Sequence, residues 1–457
     1  MSGPLIKTDK NDVFSRRDFL MAATAASAYV ITGCATNPVT GQNQLMLMGR
    51  GEEIDIDKKN APHQLSADYG PSSDPVMSAY ISQLGIGLSR LSHRPDMPYN
   101  YNVVDATYVN AYAFPGGTIA ATRGIMASLE NEASLAALLG HEIGHVNARH
   151  TSSRMSKAML TQIAVVGLVI VAASSDDRLG PLAAGLGALG AGALLAKYSR
   201  DDERQADELG MEYMVRAGYD PKGMVGLMDL LRGMQKKKPN ALDMMFASHP
   251  MSDERYATAV SRATTQYMDA KGLKLGRERH MDSTASLRKI KPALDMMQKG
   301  EAAMTKQQYR FAEKEFSGAL KIAPDDYAGL MMMAKCQLAQ QKPKNARDFA
   351  QRAQQVKPSE PQSGHVLGMA SLYSKDYRAA YNAFSRYEGM LPGNPSTVFM
   401  KGLSAEGMGD TRLAAREYMR YAQADSRSKQ GQYALSRLSK WGYLKNQEQQ
   451  QQPLRAR

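Results

Sequence analysis

The sequence holds only two cysteines, Cys34 and Cys336, which excludes a disulfide framework as the basis of the fold. Aromatic residues make up 7% of the chain, with a single tryptophan, whereas alanine, methionine (30) and glycine (38) are plentiful. That balance favours packed helices over a β-sandwich. The formal charge is +12, yet no block of lysine or arginine occurs, so nucleic acid is not expected as a partner and an anionic membrane surface suits the charge better. No apolar run is both long enough and free enough of glycine and polar residues to read as a spanning helix of ~20 residues.

What is present bounds the answer further. A length of 457 residues is a prior for two or three domains, and 43% hydrophobic with 22% charged residues argues against wholesale disorder. Residues 1–33 read as an address and not as part of the fold. Ser15-Arg16-Arg17-Asp18-Phe19-Leu20 resembles a twin-arginine export signal. The apolar run Met21 to Ile31 then ends in Ile31-Thr32-Gly33-Cys34, which resembles a bacterial lipobox. Such a signal implies lipidation of Cys34 and a membrane-anchored periplasmic protein. Ala35 follows in place of the aspartate that marks inner-membrane retention, which points to the outer membrane.

The mature chain divides by composition. Residues 34–60 read as a polar tether, 61–265 as a mixed domain with a little strand, 266–292 as a charged linker, and 429–457 as a C-terminal helix with a Gln-rich disordered tail. Two apolar stretches, Met159 to Ser174 and Leu179 to Ala196, read as a buried or lid-like helical hairpin, with lipid contact as the alternative. Residues 293–428 repeat with a period of 34: Pro324, Pro358 and Pro392; Ala312, Ala346, Ala380 and Ala414. Twelve residues before each alanine stands Gly300, Ala334, Gly368 or Gly402, and four after it Phe316, Ala350, Phe384 or Tyr418. Small residues let paired helices approach, an aromatic fills the seam, and proline opens the next unit. This pattern resembles about four tetratricopeptide repeats.

The chemistry lies in His141-Glu142-Ile143-Gly144-His145, set in a helical run of Leu135, Leu138, Leu139 and Val146. Residues i and i+4 share a helix face, so His141 and His145 can aim two imidazoles at one ion. Glu142 is offset by about 100° and can reach a bound water without displacing a ligand. Glu203, 58 residues after His145, is read as the third zinc ligand. Asp207, again at i+4, is read as accepting a hydrogen bond from a ligand imidazole and fixing its tautomer. His63, His93, His150, His280 and His365 have no such context and read as surface or core residues.

H-E-x-x-H followed by E-x-x-x-D resembles the gluzincin family that holds the CAAX prenyl proteases and the HtpX-like proteases. Asn110-Ala111-Tyr112-Ala113-Phe114-Pro115-Gly116-Gly117 resembles that family's active-site edge strand, and Ser248-His249-Pro250, with Arg255 after it, resembles its S-H-P motif. The likeness covers about residues 38–260. With the repeats added, it narrows to the periplasmic branch that enhances β-barrel assembly. The resemblance implies a mainly α fold: an α+β zincin-like protease domain with a small sheet, then an all-α tetratricopeptide-repeat solenoid. It implies one zinc per chain, Glu142 as general base, and a strand Asn110, Ala111, Tyr112, Ala113, Phe114 that pairs with unfolded or β-rich envelope substrates. His249 is expected either to stabilise the tetrahedral intermediate or to occupy the fourth zinc position as an off-switch. The repeats would meet the outer-membrane assembly machinery. The competing reading is a tetratricopeptide adaptor or chaperone with little turnover; the absence of several long spans disfavours a prenyl-CAAX protease.

Overall fold

The computed structural model describes residues 34–157, 197–237, 245 and 248–444. The stretch read as an export signal, the side chain of Cys34, the apolar stretches around 159–196 and the Gln-rich tail lie outside the described residues. Among the described residues no helix is long and apolar enough to cross a membrane.

Strands β1 (Cys34–Thr36) and β2 (Asn43–Leu45) form an antiparallel hairpin. The Asn37 side chain closes its turn by accepting from the Val39 and Thr40 N–H groups at 2.8 and 3.3 Å. Helix α1 (Arg50–Ala67) follows and buries Glu53 completely against Arg94, Arg149 and Ser152. Residues 34–60 are thus folded against the domain where a tether was expected, because buried ion pairs hold what the polar composition left open.

Helix α2 (Pro75–Ser89) is capped by Asp74 and leads to a three-stranded sheet of β3 (Asn100–Val104), β4 (Ala111–Ala113) and β5 (Thr118–Thr122). The order is β3-β5-β4, with β5 parallel to β3 and antiparallel to β4. Central β5 is buried throughout, and β4 is an edge. The short helix α3 (Arg123–Met126) leaves β5, and α4 (Glu132–Asn147) follows, N-capped by Asn131 and buried at every position.

Helix α5 (Arg200–Arg216) crosses α4 through small residues. A Cβ at Gly140 would stand 2.8 Å from the Gly210 carbonyl oxygen, and one at Gly144 would stand 3.1 Å from the Ala206 backbone. Glycine at these positions lets the two backbones touch, and that contact sets how near α5 side chains come to His141 and His145. Helices α6 (Lys222–Lys237) and α7 (Asp253–Thr264) complete the layer. Leu84, Leu88, Leu135, Leu138, Ile143, Leu209 and Met211 share its core.

The stretch expected as a linker, 266–292, is packed structure. It holds α8 (Arg277–Ser283) and α9 (Ala285–Lys289). His280 is fully buried between the Tyr80 hydroxyl at 3.0 Å and the Leu129 carbonyl at 3.1 Å. Lys274 and Arg279 both bind the buried Glu132 carboxylate, so the charges that read as solvated serve the core.

Eight helices then pair as α10 (Lys291–Thr305) with α11 (Tyr309–Ile322), α12 (Tyr327–Ala339) with α13 (Pro343–Val356), α14 (Gln362–Tyr373) with α15 (Tyr377–Met390), and α16 (Pro395–Gly407) with α17 (Thr411–Ala424). Helix α18 (Lys429–Lys440) caps the stack. Ala312, Ala346, Ala380 and Ala414 are fully buried at the helix seams. The glycine of each pair lies beneath its aromatic: a Cβ at Gly368 would stand 2.6 Å from the Phe384 ring, and Gly300 with Phe316 and Gly402 with Tyr418 pack alike. In the second pair both partners are alanine, Ala334 and Ala350. Loss of the ring there removes the need for glycine, and the seam stays closed.

The repeats dock on the first domain through buried polar contacts. Arg123 makes a bidentate pair with Asp326 at 2.5 and 2.9 Å, and Lys357 binds Asp105 at 2.8 Å. Gln298 donates to the Thr107 carbonyl at 2.6 Å, and Ser66 bonds Glu360. These contacts grip the β3–β4 connection and the end of α1.

Candidate metal centre

His141 and His145 lie one turn apart on α4, and α5 brings Glu203 beneath them. His145 Nε2 is 3.1 Å from His141 Nε2 and 3.5 Å from Glu203 Oε1; His141 Nε2 is 3.7 Å from Glu203 Oε2. His249 joins from the segment before α7, with Nδ1 3.4 Å from His141 Nε2 and 3.0 Å from Glu203 Oε1. All four residues are buried, and one ligand atom from each falls within 4.8 Å of the others. For zinc bonds of ~2.0 Å, the edge of a tetrahedron is about 3.3 Å, so this spacing fits a divalent ion. The donor chemistry fits as well: two imidazoles and a carboxylate are the set of an open zinc site, and a third imidazole stands at the remaining corner. Glu142 is 1% exposed, and its Oε2 has no hydrogen-bond partner among the described residues. An orphaned buried carboxylate oxygen beside a cluster of ligands is what a group that must handle water requires.

The electrostatics follow from burial. Desolvation raises the Glu142 carboxyl above its usual range, opposed by His249 and His141. Desolvation also drives His145 well below the ordinary imidazole value. Burial opposes a charged Glu203, yet His249 and His145 hold it well below the carboxylate range. His141 moves the other way: burial opposes its charge, but the hydrogen bond to Asp207 and the Glu203 carboxylate raise it.

Asp207 lies behind the site, with Oδ1 2.9 Å from His141 Nδ1. Three residues around the cluster receive no role at the site from the sequence. Arg255 binds both Asp207 oxygens at 2.7 Å and Glu203 Oε2 at 2.6 Å, locking two acids of α5 in place. Its only signal is its place after the S-H-P segment. Tyr198 stacks on His145 with ring centroids 3.8 Å apart, and nothing in its sequence context marks it. His150, read as a surface or core residue, is buried and also touches His145 directly; its signal is that a third histidine follows His145 by five residues.

Edge strand β4 ends beside this cluster. Ala113 and Phe114 line a small recess together with His145 and Val146. The Asn110 carbonyl accepts from the Thr122 N–H at 3.0 Å, the Asn110 N–H donates to the Thr122 hydroxyl at 3.1 Å, and the Asn110 Oδ1 is buried without a partner among the described residues. The Tyr112 hydroxyl is turned away to Asp68 at 2.6 Å. On the other side a cleft of about 320 Å³, lined by Lys197, Tyr198, Arg200 and Met251, reaches Glu203.

A helix pair carrying H-E-x-x-H and a distant glutamate, roofed by a sheet edge, defines a metallopeptidase. Residues 75–263 match peptidase family M48, and the chain belongs to that family. It is similar to the β-barrel assembly-enhancing protease of Yersinia pestis, at 25% identity over 87% of this chain and 89% of that one. The protein of the same name in Escherichia coli K12 is 28% identical over 42% of this chain and 40% of its own length. Metalloprotease YcaL of Escherichia coli K12 is 30% identical over 52% of this chain and 93% of its own.

Proposed function

We propose that this chain is an exported zinc endopeptidase that degrades misfolded or stalled envelope proteins, with His141, His145 and Glu203 as ligands. The convergence of those three donors beside an orphaned Glu142 carries the reading. When bound, zinc supplies a Lewis acid that makes water a nucleophile near neutral pH. Glu142 takes the proton and returns it to the leaving amine. Asp207 keeps the His141 proton on Nδ1, so that Nε2 faces the ion. Edge strand β4 offers unpaired backbone groups to an extended substrate, which selects unfolded or β-rich chains over particular side chains. The repeats engage a partner protein of the outer-membrane assembly machinery. The deciding experiment is zinc content with casein cleavage: the wild type carries one zinc per chain and loses cleavage to a chelator, and Glu203→Ala carries none. Stoichiometric zinc in Glu203→Ala would reject that ligand.

His249 occupies the fourth corner of the cluster and closes the site at rest. Neutral imidazole is a good zinc ligand and would displace water until substrate draws it away. His249→Ala is then expected to raise basal casein cleavage with zinc retained. A fall of ~10²–10³-fold would assign it instead to the oxyanion of the intermediate.

Anchoring is by lipid at Cys34, on the outer membrane. The wild type should sediment with membranes and Cys34→Ser should not mature normally; a wild type wholly in the soluble fraction would reject the anchor.

A further inference from the structure

The two imidazoles of α4 are held from behind in different ways. His141 turns Nδ1 to the Asp207 carboxylate, which Arg255 pins. His145 has no carboxylate there among the described residues: its Nδ1 lies 2.9 Å from Nδ1 of His150. Two ring nitrogens at that distance share one proton, so one donates and the other accepts. The direction is decided one step further out. His150 Nε2 lies 2.9 Å from Gln205 Oε1, and an amide oxygen can only accept. A neutral His150 therefore carries its proton on Nε2, presents Nδ1 as an acceptor, and receives the Nδ1–H of His145. That leaves the lone pair of His145 on Nε2, the atom facing His141 and Glu203. The opposite polarity, with the Gln205 amide nitrogen turned to donate, would place the His145 proton on Nε2 and close that atom to a metal.

The contact depends on a reversal of the chain. Helix α4 ends at Asn147, and Arg149 follows with φ of +58°, a left-handed conformation that side-chain-bearing residues rarely adopt. The Arg149 guanidinium is tied to Glu53 at 2.7 Å and to the Met48 carbonyl at 2.5 Å, which holds the turn. The turn sets His150, 4% exposed, back against His145. Asp202 stands at the far end, with Oδ1 3.6 Å from His150 Nε2.

We propose that His150 is a positioning residue of the metal centre: with Gln205 it fixes the tautomer and ring orientation of His145 so that Nε2 is kept free for the ion. This rests on the cluster being a metal site. It also makes the two imidazoles unequal, one backed by an anion and one by a neutral relay.

The test measures zinc affinity of the full-length chain by competition with a chromophoric chelator, together with the visible absorption of the cobalt-substituted protein. His150→Leu fills the space without an acceptor and is expected to weaken zinc roughly 10–100-fold, the usual cost of losing such a partner. It should also alter the cobalt bands. His150→Asn places an acceptor oxygen about where Nδ1 sits and is expected to restore most of the affinity. Gln205→Met, which removes the polarity signal without touching His145, should weaken zinc in the same direction by a smaller factor. Wild-type affinity in His150→Leu would overturn the proposal. So would equal weakening in the leucine and asparagine variants, which would show that packing alone matters. If His150→Leu does not fold, the asparagine variant and Gln205→Met decide, and unchanged affinity in Gln205→Met overturns it. Failure of the underlying reading looks different: the wild type itself takes up no zinc.

Discussion

Replacing Glu142 with glutamine is expected to leave one zinc bound per chain and to lower peptidase turnover by ~10²–10⁴-fold, the contribution of a positioned general base. The amide has the shape of the acid and cannot take a proton. Glu142 stands outside the four-residue ligand group, and its Oε1 is 3.9 Å from His249 Nε2, so the substitution removes no ligand. Neutralising a buried carboxyl that burial already disfavours as an anion should leave the fold intact. Zinc content and casein cleavage measured on one preparation separate the two roles. Loss of zinc would make Glu142 a ligand, and turnover within tenfold of wild type would remove it as the base.

The second large effect concerns stability. Arg123→Ala should lower unfolding stability by about 3–5 kcal/mol, because it strands the Asp326 carboxylate in a place where water cannot reach it. Both side chains of the pair are 5% exposed. Burial opposes the charge on Asp326, and Arg123 foremost, with the Gly329 N–H and Lys357, holds its pKa down. The double variant Arg123→Met with Asp326→Leu should recover most of the loss, since removing both charges leaves neither unpaired. Denaturant midpoints of the three proteins provide the measurement. An unchanged midpoint in Arg123→Ala would mean that the repeats are held by their other contacts, Lys357–Asp105 among them.

The repeats were legible because their rule is local. Gly300 needs Phe316, and Gly368 needs Phe384, at fixed spacing within one helix pair, so the period of 34 survives in the sequence. The exception is legible too, since Ala334 and Ala350 change together. The H-E-x-x-H helix was legible for the same reason: a helix places residues four apart on one face whatever surrounds it. The stretch 266–292 folds as packed structure yet reads as a linker, because its charges Lys274 and Arg279 have no ion-pair partner nearby in the sequence. Their partner Glu132 lies 142 residues from Lys274, and no local pattern announces it.

The sequence by itself determined the helical class, the repeats, the pair His141 and His145 and the candidates Glu203 and Asp207 through short-range periodicity and motif, while His249 became a candidate through a family resemblance. Tertiary structure alone decided what surrounds them. Contact of Gly140 with Gly210 and of Gly144 with Ala206 sets the depth of Glu203 beneath the histidines. Arg255 couples Glu203 to Asp207 from 52 and 48 residues away, and the positive φ of Arg149 folds His150 back onto His145. Periodicity specifies which face of a helix a residue occupies. The atoms on the far side of a hydrogen bond come from another element, and close packing of backbones selects them.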